Sequence, residues 1–210
     1  MKNSQASFSE EIANGITHGI GALLSVAGLV LLIIQAVRFG TAWHVVSYTI
    51  FGSTMFILYL SSTLYHSIQH QKAKIILRII DHSAIFLLIA GTYTPFVLVT
   101  LRGAWGWSLF GIIWGLAITG IIFKCITIGR FRILSVFIYI AMGWLVVIAM
   151  PKIINALDRT SLVLLIAGGL SYTLGTVFYA LRRIPFSHTV WHLFVLGGTV
   201  MHFFAVLNIL

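Results

Sequence analysis

The sequence predicts an all-α integral membrane protein with seven transmembrane helices, and three observations carry that prediction. First, the 210 residues are 60% hydrophobic and only 8% charged, with a mean hydropathy of +1.05; a soluble domain is ~25% charged. Second, the apolar residues fall into runs near the ~20 residues that a helix needs to cross a ~30 Å hydrocarbon core. Third, the 13 Lys and Arg side chains sit between those runs, where they act as topological signals and do not form a nucleic-acid groove.

Each element follows from the position of its run. Helix 1 is expected at about 13–37, helix 2 at about 42–66 and helix 3 at about 76–100, the last kinkable at Pro95. Helix 4 is expected at about 105–124, and helices 5, 6 and 7 at about 131–151, about 160–181 and about 187–209. The first run is too long for the apolar part of a signal peptide and shows no small-residue cleavage site, so it reads as a retained helix. The organisation is therefore a short cytoplasmic segment, residues 1–12, followed by one membrane domain, residues 13–210.

Orientation follows from the positive charges, because cytoplasmic loops retain Lys and Arg. One side carries Lys2, Lys72, Lys74, Arg78, Lys124, Arg130, Arg132, Arg182 and Arg183; the other carries Arg38, Arg102, Lys152 and Arg159. That split places the N-terminus in the cytoplasm and the C-terminus outside. The expected location is a cell membrane, the inner one if the source is bacterial. Membrane lipids are the expected partners, nucleic acid is not one, and a homo-oligomer is left open. The glycine pairs Gly21/Gly28 and Gly111/Gly115 read as places where helices approach closely. Trp43, Trp105 and Trp107 read as an interfacial belt. The single Cys125 offers neither an intramolecular disulfide nor a paired-thiolate metal site.

Polar and ionisable side chains inside a membrane helix are costly, so each asks for a partner or a purpose. His66 closes helix 2, Asp81 lies early in helix 3, His188 and His192 occupy the first turns of helix 7, and His18 lies early in helix 1. The derived topology brings all five to the cytoplasmic ends of their helices. His188 and His192, four residues apart, share one helix face and can offer two metal ligands. Ser62 and His66 have the same spacing, and Glu11, Asn14 and His18 repeat it at offsets of three and four. The simplest constellation is a metal held by His66, His188 and His192, with a coordination position open for a water or a substrate oxygen. Asp81 is then placed to orient or deprotonate that water. Nitrogen ligands without thiolate favour Zn2+, although ligand type alone leaves iron, cobalt and nickel open. Glu11, Asn14 and His18 are expected to support the ligands from behind. His44, His70 and His202 lack this convergence and read as interfacial or packing residues, and His82 points about 100° away from Asp81.

Four motifs carry a family resemblance. E-x-x-N-x-x-T-H (Glu11, Asn14, Thr17, His18), S-x-x-x-H (Ser62, His66), D-H-S-A-I (Asp81 to Ile85) and P-x-S-H-x-x-W-H (Pro185, Ser187, His188, Trp191, His192) resemble the bacterial hemolysin III family. That family belongs with the progestin and adipoQ receptors and the alkaline ceramidases. The resemblance implies seven helices and a cytoplasmic zinc on His66, His188 and His192. It also implies Asp81 at the zinc-bound water with Ser62 beside it, and a chemistry of lipid amide hydrolysis. Two further expectations compete with a zinc-dependent hydrolase: a membrane-homeostasis or sensor protein in which zinc is structural, and an oligomeric pore-forming cytolysin. The outer halves of the helices are nearly devoid of charge, so a monomer offers no continuous polar path.

Overall fold

The computed structural model describes residues 7–127, 130–181 and 184–210. It is helical throughout these residues, and seven helical spans are long and apolar enough to cross a membrane. The spans are α1 (Phe8–Phe39), α2 (Ala42–Ser67), α3 (Gln71–Pro95), α4 (Ala104–Thr127), a fifth made of α5 (Arg132–Trp144) and α6 (Val146–Ala156), α7 (Arg159–Ala180) and α8 (Ser187–Leu207). The chain is thus a seven-span helical membrane protein. Lys2, Arg182 and Arg183, counted above for orientation, lie outside the described residues, as does most of the segment before α1.

Boundaries differ from the apolar runs where local chemistry extends or breaks a helix. α1 starts at Phe8, before its apolar run, because the Ser7 side chain accepts from the Glu10 amide at 3.2 Å and Glu10 and Glu11 sit in the first turn, where the dipole favours acids. Beyond Pro95, α3 continues as a π turn, Phe96–Thr100, closed by a bond from the Leu101 amide to the Phe96 carbonyl at 2.8 Å. Proline removes a donor and crowds the preceding turn, so the ladder slips by one residue here. The fifth span is broken at Leu145 for a reason that lies on another helix. The Tyr93 hydroxyl accepts from the Val146 amide at 2.7 Å and donates to the Gly143 carbonyl at 2.7 Å. A side chain inserted into the hydrogen-bond ladder in this way kinks a helix.

The spans form a ring. α1 packs between α2 and α8, α2 on α3, α3 on α4, and α8 on α7, while α5 closes the ring more loosely against α3, α4 and α7. Buried hydroxyls tie the ring together where hydrophobic driving force between helices is weak. Tyr48 donates to the Val206 carbonyl at 2.6 Å, and Tyr59 and Tyr172 both reach Thr199 Oγ1, at 2.7 and 2.9 Å. Gly21 lies under the Tyr59 ring and Gly28 under Phe203, so these two glycines do permit close approach. Gly111 and Gly115 do not: a Cβ on either would meet nothing within 4 Å, since that face of α4 is turned outward.

Inside the ring an elongated cavity of about 150 Å3 runs between α3, α5, α6, α7 and α8. Along α3 its wall runs from Asp81 to Leu101, roughly 30 Å at ~1.5 Å per residue. Leu88, Val97, Ile140, Met150 and Val195 typify its apolar lining, and His18 and Asp81 mark one end.

Candidate metal centre

Local sequence places the polar groups at the end of the bundle that holds the N-terminus of α1. The last two turns of α2 present Ser62 and His66, the first two turns of α8 present His188 and His192, and α1 brings Glu11, Asn14 and His18 down one side. The three imidazoles His66, His188 and His192 meet with ring centroids 5.2, 5.1 and 4.6 Å apart. One nitrogen from each lies within 4.8 Å of the others. Nitrogens on a tetrahedral zinc sit roughly 3.4 Å apart, so small imidazole rotations bring this cluster onto a metal. Among the described residues it is the one group of three or more His, Cys, Asp or Glu side chains placed to hold an ion.

The hydrogen bonding fits the same use. His66 Nδ1 lies 2.9 Å from Glu11 Oε2, and Lys74 Nζ lies 3.3 Å from the same oxygen. His66 therefore donates from Nδ1 and leaves Nε2, which is buried with no partner, to face the cluster. Both nitrogens of His192 are likewise buried without a partner. An unbonded buried imidazole nitrogen costs roughly 1–3 kcal/mol; an ion would take one lone pair from His66 and one from His192, and both nitrogens of the neighbouring His18 are unpartnered as well. The residues present thus fit a metal ion; its identity is a separate question.

The supporting residues occupy distinct positions. Asn14 Oδ1 accepts from the Thr189 hydroxyl at 2.6 Å and so fixes the first turn of α8 against α1. His18 comes closer to the ligands than a supporting role requires. Its ring stacks on His192 at 3.5 Å between centroids and 8° between planes, and meets Tyr59 edge-on at 5.0 Å. Asp81, 6% exposed, is outside the three-residue donor set. Its electrostatic neighbours are His66 and Ser62, and its Oδ2 lies 3.5 Å from His82 Nδ1. The Ser62 hydroxyl is buried beside the Asp81 carboxylate. His82 Nδ1 donates to the Arg78 carbonyl at 2.7 Å, and His202 Nε2 donates to the Leu165 carbonyl at 3.0 Å. His44 and His70 serve the first turns of α2 and α3. Two residues of the centre were not singled out from sequence: Thr189, and Lys74, which read as a topological charge. Their partners come from other helices, so no spacing within the chain pointed to them.

The family model described as Haemolysin-III related matches residues 6–203. The chain belongs to that family. Over 198 residues it is 56% identical to a hemolysin-3 homolog of Bacillus subtilis (strain 168), covering 94% of this chain and 93% of the relative. It is 55% identical to hemolysin-3 of Bacillus cereus over 198 residues, covering 94% and 90%. A more distant relative, the human monocyte to macrophage differentiation factor, is 27% identical over 206 residues, covering 94% and 83%.

Glu11→Gln gives a first test of the centre. It keeps the size of the side chain and removes the charge that orients His66 and pairs with Lys74. Loss of such a partner typically weakens metal binding 10–100-fold. Chelator competition on the purified protein should show that drop with three imidazoles still bound, and unchanged affinity would mean that Glu11 does not orient His66.

Proposed function

We propose that this family member is a zinc-dependent hydrolase of lipid amides or esters, acting at the cytoplasmic face of a cell membrane. The observation that carries the reading is that two neighbours of the three-histidine cluster, Asp81 beside His66 and His18 stacked on His192, line the end of an apolar cavity inside a membrane-spanning bundle. A water-filled pore needs polar walls along its length, whereas an acyl chain needs the apolar ones found here.

In this reading His66, His188 and His192 hold the ion. Bound there, zinc would supply Lewis acidity toward a carbonyl and a lowered pKa for water. The chain's own groups do the rest. Asp81 accepts the proton of the attacking water and returns it to the leaving amine or alkoxide as the acyl C–N or C–O bond breaks. The Ser62 hydroxyl, beside Asp81, donates a hydrogen bond to the oxygen on which charge develops. The cavity holds the acyl chain, with its carbonyl at the Asp81 end.

The purified protein in mixed micelles should release fatty acid from a ceramide-like amide or a lipid ester, with one zinc per chain. No release across amides and esters, with zinc retained, would favour the second reading. There the ion is structural, clamping α2 to α8, since all three imidazoles come from those two helices. Orientation is tested separately. Reporter fusions near residue 70 should be cytoplasmic, and those near residues 40, 103 and 156 external, because Lys72, Lys74 and Arg78 flank the histidine end. An external reporter near residue 70 would overturn the assignment.

A further inference from the structure

Beside the metal centre, on the side of α3 that carries His82, three positive charges converge without a counter-ion. Lys124, in the last turn of α4, is 2% exposed and makes no side-chain hydrogen bond or ion pair among the described residues. His82 ties the surroundings together: its Nδ1 lies 2.7 Å from the Arg78 carbonyl on α3 and its Nε2 lies 3.4 Å from the Tyr179 hydroxyl, whose ring carries Arg132 from the start of α5, and Lys124, Arg78 and Arg132 all act on it electrostatically. Arg78 Nε is buried without an acceptor. The Arg132 guanidinium lies 3.9 Å from the centroid of the Tyr179 ring and donates to the Tyr179 carbonyl, so its partners among the described residues are neutral.

No side-chain carboxylate of the chain forms an ion pair with this cluster. The chain has four, Glu10, Glu11, Asp81 and Asp158, all within the described residues. Their ion pairs run to His66, Lys74 and His82, and none to Arg78, Lys124 or Arg132. The C-terminal end of the α4 dipole offers Lys124 about half a negative charge, which does not balance three cations. A topological Lys or Arg stands in water or among headgroups, whereas a Lys covered by protein calls for a bound anion. α5 begins at Arg132 with no side-chain cap, so its first amides have no side-chain acceptor.

We propose that Arg78, Lys124 and Arg132 form a binding site for a phosphoryl group, carried by an anionic phospholipid headgroup or free in solution. Basic pockets between membrane helices bind lipid headgroups in this way, and guanidinium groups suit phosphate oxygens. The site shares no residue with the histidine cluster, from which it is separated by the Tyr179 ring, 5.9 Å from that of His188.

The test uses the full chain in nanodiscs of phosphatidylcholine with and without phosphatidylglycerol, with retained lipid counted by native mass spectrometry. The wild type should retain phosphatidylglycerol in preference to phosphatidylcholine. Lys124→Gln should lower that preference at least about fivefold, Lys124→Arg should keep it, and Lys152→Gln at the opposite end should not change it. A parallel arm titrates inorganic phosphate into phosphatidylcholine nanodiscs. A rise in Tm there, without phosphatidylglycerol retention, assigns the site to soluble phosphate. Arg132→Gln serves as the second variant if Lys124→Gln does not fold. Zinc content, measured on every variant, should stay at the wild-type value, which separates failure of this site from failure of the metal centre. Absence of both lipid preference and phosphate stabilisation in the wild type, or equal preference in a folded Lys124→Gln protein, overturns the proposal.

Discussion

His192→Ala should abolish stoichiometric zinc binding, while His202→Ala, ten residues further along α8, should leave it nearly intact. The two histidines are buried on one helix and differ only in what their nitrogens meet. His192 sits between His18, His66 and His188 with neither nitrogen bonded. Its removal leaves two imidazoles, too few for a tight zinc site. His202 donates from Nε2 to the Leu165 carbonyl, leaves only Nδ1 without a partner, and packs over Gly168. Its loss removes one hydrogen bond to a carbonyl that keeps its helical partner and opens a small void, a stability cost of about 1–3 kcal/mol without a ligand being lost. Elemental analysis alongside thermal melting in detergent reads both effects. Equal metal loss in two folded variants would mean that the ion sits elsewhere.

Much of the architecture was legible because it depends on periodicity along one chain. Seven apolar runs became seven spans, and the i,i+4 pairs Ser62/His66 and His188/His192 placed their side chains on single helix faces. Pro95 marked the point where α3 passes into a π turn. What was not legible depends on a partner supplied by another helix. The break at Leu145 is made by Tyr93 from α3, and nothing in the run around it reports that hydroxyl. Gly111 and Gly115 have the spacing of a packing motif, yet the ring turns them outward. Lys74 and Lys124 looked alike as flanking charges; one became the partner of Glu11, and the other was covered by protein. The stacking of His18 on His192 likewise required the α1–α8 contact, which spacing does not encode.

Asp81→Asn should retain zinc and lose turnover. A carboxylate that is 6% exposed in a membrane helix is expensive unless a cation or hydrogen-bond donors face it, and His66, Ser62 and His82 are the groups at hand. Asparagine preserves the shape and removes the proton acceptor. Loss of a general base typically costs ~10²–10⁴ in rate, and three imidazoles are sufficient to keep the ion. If the carboxylate were instead a direct ligand, the same substitution would weaken zinc binding and loosen the bundle together, because α3 would lose its tie to α2 and α8. Zinc content, Tm in detergent and fatty-acid release from a ceramide-like substrate, measured on the wild type and the variant, separate these outcomes. The place of Asp81 outside the three-residue donor set, at the end of the apolar cavity, favours the first. Zinc lost in step with stability, in a wild type that turns over no lipid amide or ester, would make the centre a clamp between helices.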